Sequence, residues 1–341
     1  MRVVLTGGGT GGHVYPALAV GRALRQRGHE VAYVGANGLE ARVVPEHFPF
    51  HRLRAGKLDR TGLRPRELVK AGAGLWDGFR LVRRLKPDAV LATGGFAAFP
   101  FAFAAETLGV PVFLHEQNAR LGLANRWLAP RARRLFLAVP FELPPELEAE
   151  AETVGMPIVE KRVEKEAAKR ALGLVPDRPV LLILGGSQGA KIFNEKLPAL
   201  LGPFLERFQV LHQTGPRWLE ATHAPGPGYH LAGYLDTVLA WSAADLAITR
   251  AGAMTLAEAA FHRVPLVLVP LPTAADDHQR KNARLYAEAG AAVYLEQSEL
   301  GRLPEVLSSL DEARLEAMQN ALARFDPRGS AERIAARIEE L

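Results

Sequence analysis

The chain has 341 residues, long for a single core and comfortable for two domains. With 48% hydrophobic and 23% charged residues the composition is that of an ordinary globular protein, which excludes extended disorder. The absence of cysteine excludes a disulfide framework, a thiol nucleophile and a cysteine metal site. The net charge of +5 is unevenly spread: residues 1–150 carry 21 Lys+Arg against 13 Asp+Glu, and the remainder carries 21 against 24. A basic first half with no recognisable nucleic-acid module argues against nucleic acid as the partner.

The first element is an apolar strand at residues 3–5. Five glycines follow within six residues, in Gly7-Gly8-Gly9-Thr10-Gly11-Gly12-His13, and then a helix with Val14, Leu18, Gly21 and Leu24 at helical spacing. Glycines here let a ligand approach the main chain, and the amides at the helix start favour anionic or polar groups. Gly7, Gly9 and Gly12 also fit a dinucleotide fingerprint. That fingerprint requires an acid about 20 residues on, at the end of the second strand. The second strand, residues 30–35, ends in Gly35-Ala36-Asn37-Gly38, and Glu40 comes late for the role. A classical dehydrogenase is therefore disfavoured.

Residues 63–86 alternate basic and apolar side chains at helical spacing: Arg64, Arg66, Lys70, Arg80, Arg83, Arg84 and Lys86 among Leu68, Leu75, Trp76, Phe79 and Val82. One reading is a helix lying on an anionic bilayer through Leu75, Trp76, Phe79, Arg80 and Arg83. The other is a helix packing Leu68, Leu75, Phe79 and Val82 on its own sheet with a solvated basic back. Strands are expected at 89–92, ending in Thr93-Gly94-Gly95-Phe96, and at 110–114, ending in His115-Glu116-Gln117-Asn118. The uncharged run 89–105 falls short of the ~20 residues a spanning helix needs, so no transmembrane segment is expected, and no export signal is read at the N-terminus.

The Pro- and Glu-rich stretch 140–169 suits a domain boundary. A second unit then opens with a strand at 179–184 and another glycine loop, Gly185-Gly186-Ser187-Gln188-Gly189-Ala190. A strand at 245–249 runs into Arg250-Ala251-Gly252-Ala253-Met254-Thr255-Leu256-Ala257-Glu258, whose small residues leave helix amides open to a diphosphate. Arg250 can add a positive charge. Glu258 suits the ribose hydroxyls, or else is a helix-surface carboxylate. After a strand at 265–269, Gln279 and its neighbours are placed to read sugar hydroxyls.

Six motifs in this order, at 7–13, 94–96, 115–118, 185–190, 250–258 and 277–283, identify the chain as similar to the family 28 glycosyltransferases of peptidoglycan synthesis. The resemblance spans essentially the whole chain. It implies an α/β GT-B fold, with two Rossmann-like domains whose parallel sheets face each other across a cleft. It places an acceptor- and membrane-facing domain at 1–156, a UDP-sugar domain at 157–329, and a terminal helix at 330–341 that crosses back. The implied donor is UDP-N-acetylglucosamine, contacted by Thr10, Gly11, Gly12, Asn118, Ser187, Leu235, Arg250, Ala253, Met254, Thr255, Leu256, Ala257, Glu258 and Gln279. The implied acceptor is a polyprenyl-diphosphate-linked muramoyl-pentapeptide, its diphosphate admitted by Gly94 and Gly95.

The implied chemistry is a single inverting displacement with His13 as general base, or as a residue that only hydrogen-bonds the donor or the loop. No cofactor and no protein-held metal are expected, and the implied location is the cytoplasmic face of the membrane. Two departures stand out. Gly155-Met156-Pro157-Ile158-Val159 replaces the family's Gly-Asn-Pro-Val-Arg, so the arginine is not carried over, and Phe96 replaces a tyrosine. The competing readings are transfer to another lipid acceptor, a UDP-N-acetylglucosamine epimerase and a non-catalytic sugar-nucleotide sensor.

Overall fold

The structure, a computed structural model, describes residues 1–55 and 65–341, with the backbone alone at residues 65–69 and at Ala275. It divides into two compact units, residues 1–159 with 327–341, and residues 160–326.

The first unit is a seven-stranded, wholly parallel sheet: β1 (Arg2–Thr6), β2 (Glu30–Gly35), β3 (Phe50–Arg52), β4 (Ala89–Ala92), β5 (Val112–Glu116), β6 (Arg134–Leu137) and β7 (Ala151–Thr153), in the order β3-β2-β1-β4-β5-β6-β7. Parallel strands need crossovers, and helices on both faces bury them, which is why β1 and β4 read as uninterrupted apolar runs. On one face the helix Gly11–Gln26 packs Val14, Leu18 and Leu24 with Ile334, Ala335 and Ile338 of the terminal helix Ser330–Glu339. The terminal helix is also tied by polar contacts. Ser330 Oγ donates to the Val154 carbonyl (2.8 Å), and Arg337 forks onto both oxygens of Glu152 (2.8 and 3.1 Å). On the other face lie the helices Pro65–Leu85, Phe99–Thr107 and Leu123–Leu128, which supply Leu81, Val82, Phe101, Ala102 and Leu128 to the core.

The second unit is a six-stranded parallel sheet: β8 (Val180–Leu184), β9 (Gln209–Gln213), β10 (Tyr229–Ala232), β11 (Leu246–Thr249), β12 (Leu266–Leu268) and β13 (Ala292–Tyr294), in the order β10-β9-β8-β11-β12-β13. Each sheet therefore has one point where the strand order reverses, between β1 and β4 in the first unit and between β8 and β11 in the second. Beyond the carboxyl ends of the strands at such a point lies the crevice in which open α/β sheets bind ligands.

Seven strands expected from the sequence are present, most with ends moved by one or two residues. The largest change is at β5, which runs to Glu116, so His115 and Glu116 belong to the strand and not to the turn after it. Both pair with β6, and their polar side chains are satisfied internally, as described below. The sequence reading missed β3, β6, β7, β9, β10 and β13. The helix expected at 63–86 is observed as Pro65–Leu85; Leu63 and Arg64, and the side chains of Arg66 and Leu68, lie outside the described residues.

Candidate active site

In the first unit the two loops at the switch point interlock. Thr6 of β1 is paired with Ala92 of β4, and the Thr93 amide donates to the Thr6 carbonyl (2.9 Å). Thr93 Oγ1 donates to the His13 carbonyl (2.7 Å), joining the end of β4 to the start of the first helix. Gly94 and Gly95 both have left-handed backbone, φ +89° and +80°. A Cβ on Gly94 would lie 3.3 Å from His13 Cδ2, and one on Gly95 would strike the Gly8 carbonyl. The two glycines expected at an acceptor diphosphate thus lie directly against His13.

His13 is partly buried, and its Nδ1 lies 3.1 Å from the Gly8 carbonyl and 3.1 Å from Thr10 Oγ1. A carbonyl only accepts, so Nδ1 carries the proton and the lone pair of the neutral ring sits on Nε2. Its neighbour His115 is fixed in the opposite tautomer. Nε2 donates to the Gly155 carbonyl (3.1 Å), and Nδ1 accepts from the Gln117 amide (3.0 Å). Burial lowers the pKa of His115 to about 4, so it stays neutral.

Two buried carboxylates brace this unit's loops, and the sequence reading gave neither a role. Glu116 accepts from the amides of Asn118 (3.1 Å) and Gly122 (2.8 Å) and from Asn125 Nδ2 (2.9 Å), which holds the turn carrying Asn118; burial raises its pKa. Glu40 is fully buried. It folds back into the first glycine loop, accepting from the amides of Gly9 (3.1 Å), Ala36 (3.2 Å) and Gly38 (3.3 Å). The Gly9 amide is thus held by the protein's own carboxylate, and the amides expected to meet an anionic or polar group are those at the helix start beyond it. Thr10, Gly11 and Gly12 lie at the start of the following helix, on the far side of this bonded stretch.

In the second unit Thr249 pairs with Leu184, so the loop 185–190 and the turn 250–258 leave the sheet side by side. Gly189, at φ +72°, packs on the Thr214 carbonyl too closely for any side chain. Gln213 ties three segments together, with Nε2 donating to the Gly186 carbonyl (3.0 Å) and Oε1 accepting from the Leu235 amide (2.9 Å). Leu235 has a buried side chain and a committed N–H, so this hydrogen bond fixes the position of its main chain. Ser187 is exposed on the loop.

The helix Ala253–His262 begins at the switch point with Gly252 at its N-cap, and Ala253, Met254 and Thr255 are partly exposed there, with Leu256 and Ala257 buried behind them. Glu258 accepts from Trp241 Nε1 (3.0 Å) at Oε2, and its other oxygen has no hydrogen bond among the described residues. Burial raises its pKa to about 7, partly offset by the indole. Gln279 Oε1 accepts from the amides of Ala251 (3.3 Å) and Leu271 (2.9 Å), which orients its amide nitrogen.

Arg250 needs a correction. Its guanidinium does not stand at the loop mouth but turns inward. Nη1 donates to the carbonyls of Val269 (3.0 Å) and Pro270 (3.2 Å), Nη2 donates to Gln297 (2.8 Å), and the group stacks 4.5 Å from the Phe193 ring centre. Burial lowers its pKa to about 10, which leaves it charged at neutral pH. Arg250 braces the ends of β11 and β12. Val159, at the position of the absent family arginine, is exposed; Arg162 stacks on Phe261, toward the opposite end of the helix from Ala253.

The inner face of the helix Pro65–Leu85 packs on the sheet, as the second reading of its sequence expects. Leu81 and Val82 are buried, Phe79 packs on the core, and Gly78 abuts the Pro100 carbonyl of the neighbouring helix. Phe79 is thus mainly a packing residue, and Leu75 is partly buried. The outer face presents Trp76, 69% exposed, with Arg80 and Arg83. A second indole, Trp127 at 71% exposure, stands on the helix Leu123–Leu128 of the same layer and escaped the sequence reading. No described helix is long and apolar enough to cross a membrane.

Comparison with known proteins matches residues 3–137 to the glycosyltransferase family 28 N-terminal domain and residues 180–336 to the family 28 C-terminal domain. A Thermus thermophilus protein named UDP-N-acetylglucosamine–N-acetylmuramyl-(pentapeptide) pyrophosphoryl-undecaprenol N-acetylglucosamine transferase is 52% identical, with 99% of each chain covered. A Deinococcus radiodurans protein of the same name is 42% identical over 99% of this chain and 95% of its own. Among solved structures, Acinetobacter baumannii MurG superposes with a TM-score of 0.80 at 32% identity, covering 100% of this chain and 99% of that one.

Proposed function

Since the chain belongs to glycosyltransferase family 28 and has its GT-B fold, we propose that it transfers N-acetylglucosamine from UDP-N-acetylglucosamine to the C4 hydroxyl of undecaprenyl-diphospho-muramoyl-pentapeptide. The observation that carries the reading onto this chain's residues is the pair of switch-point loops. One holds a histidine whose Nδ1 is committed to the Gly8 carbonyl, and the other holds a helix start of small residues with Glu258 behind it.

In this reading the second unit binds the donor. Amides at the start of the helix Ala253–His262 and the Ser187 hydroxyl face the diphosphate. Glu258 Oε1 accepts from the ribose, the Gln279 amide nitrogen donates to the sugar, and the main chain around Leu235 meets the uracil. Arg250 supports the turn from behind. Thr10, Gly11, Gly12 and Asn118 are further residues for the donor, and Gly94 and Gly95 admit the acceptor diphosphate beside His13.

The acceptor C4 oxygen attacks the anomeric carbon, its proton passes to His13 Nε2, and UDP leaves with the C–O bonding pair, giving the β-1,4 product with inversion. Charge developing on the leaving diphosphate is stabilised by the oriented helix amides. The enzyme works as a peripheral protein on the cytoplasmic face of the membrane, where its lipid-linked substrate lies, with Trp76, Arg80 and Arg83 turned to anionic headgroups.

The test is His13→Ala. Loss of a positioned general base costs about 10² to 10⁴ in turnover. The variant is expected to lose that much in kcat, together with the acid limb of the pH profile, while the KM for UDP-N-acetylglucosamine changes little. Unchanged turnover and pH dependence would remove His13 from the role.

A further inference from the structure

Glu40 is a fully buried carboxylate with no cation paired to it among the described residues, which is costly unless hydrogen bonds hold it. The surrounding glycines are shaped to it. A Cβ on Gly8 would lie 2.6 Å from Oε1, one on Gly38 2.5 Å from Oε2, and one on Gly35 2.8 Å from Cγ. A side chain at any of these three positions would collide with the Glu40 side chain.

The decisive geometry is a single peptide group. Gly9 N–H donates to Glu40 Oε2 (3.1 Å), and the carbonyl of that same peptide, Gly8 C=O, lies 3.1 Å from His13 Nδ1. The order is carboxylate, peptide, imidazole. A negative charge accepting from the N–H polarises the amide and makes its carbonyl oxygen a stronger acceptor, because hydrogen bonds in series reinforce one another. A stronger acceptor at Nδ1 fixes the tautomer and stabilises the imidazolium that forms when Nε2 takes a proton. In serine hydrolase triads a carboxylate does this by direct contact.

We propose that Glu40 is the positioning residue of the reaction, orienting His13 and raising its basicity through the Gly8–Gly9 peptide. The proposal rests on His13 being the base. The other titratable groups near the ring do not duplicate the effect: His115 is neutral, and Tyr33, whose hydroxyl donates to the Gly7 carbonyl (2.9 Å), is kept protonated by burial.

The experiment follows the His13 ring by ¹⁵N NMR in the full-length protein and in Glu40→Gln, alongside pH profiles of kcat. In the wild-type protein the neutral ring is expected as the Nδ1–H tautomer, and the Gly9 amide resonance is expected to titrate together with it. In Glu40→Gln the ring pKa should fall by about one unit. The acid limb of kcat should move to lower pH, and kcat should drop roughly tenfold to a hundredfold, less than the ~10⁴ lost with a directly bonded carboxylate. Donor KM should hold, and in a His13→Ala background the substitution should cost nothing further in kcat.

An Nε2–H tautomer, a Gly9 amide indifferent to the ring, or an unchanged ring pKa in a folded Glu40→Gln would each overturn the relay. The first two need no variant, so they decide the matter even if Glu40→Gln does not fold. Full activity of His13→Ala alone would overturn the base assignment instead, and the NMR titrations would still report on the coupling.

Discussion

Glu258 shows how one side chain can link burial, pH and ligand binding. With its pKa raised to about 7 in the ligand-free protein, it is largely protonated below neutrality. A group with a raised acid pKa binds more protons folded than unfolded between about pH 4.5 and 7, so its contribution to stability falls as pH rises through that window. Across that window the effect amounts to about 3 kcal/mol. Ribose hydroxyls donating to Glu258 favour its ionised form, so UDP binding should release a proton and tighten as pH rises through 7. Calorimetry in buffers of different ionisation enthalpy measures this release, and Glu258→Gln should abolish it. Equal proton release in the wild-type protein and the variant would exclude Glu258 as the ribose acceptor. The residue types of this site were legible in the sequence because helix starts and glycine turns have local signatures. The reversal of Arg250 was not, since its partners Val269, Pro270 and Gln297 are 19 to 47 positions away. Glu40 was likewise read only as an acid arriving late, because its meeting with Gly9 depends on β1 and β2 lying side by side.

Among the elements, six strands escaped the sequence reading, three of them very short. β3, β7 and β13 have three residues each, too few for periodicity to show, and are defined by the strands beside them. Longer helices were plain, and at Pro65–Leu85 the packing reading describes the inner face while the bilayer reading is a proposal for the outer one. Its inner face is core, and its outer face leaves Trp76 between basic residues. A juxtamembrane cation near an anionic surface is worth about 1 kcal/mol, so Arg80→Glu with Arg83→Glu should lower affinity for phosphatidylglycerol vesicles by at least 30-fold. Trp76→Ala should lower it further, and more than the same change at a buried core position that leaves the fold intact. Flotation with neutral and anionic vesicles measures both effects, and binding indifferent to lipid charge would leave the outer face as mere solvated surface.

At the scale of the molecule, the division into two parallel-sheet units was legible from the recurrence of strand, glycine loop and helix about 180 residues apart. The boundaries of the units are set by the return of residues 327–341 to the first unit, where Ile334 and Ile338 complete the core under the helix Gly11–Gln26. Each sheet brings its glycine loops together only at its strand-order reversal, which the order of elements along the chain does not reveal. The two loops so formed have complementary chemistry, one suited to a base and an acceptor, the other to a nucleotide.

The most direct test of that pairing is transfer of labelled N-acetylglucosamine from UDP-N-acetylglucosamine to a lipid-linked muramoyl-pentapeptide analogue, with UDP-glucose as donor control. The account predicts one lipid-linked β-1,4 disaccharide formed per UDP released, strict dependence on the acceptor, and little transfer from UDP-glucose. Conversion of the donor with no acceptor present, or binding of the donor with no transfer to the lipid, would contradict it.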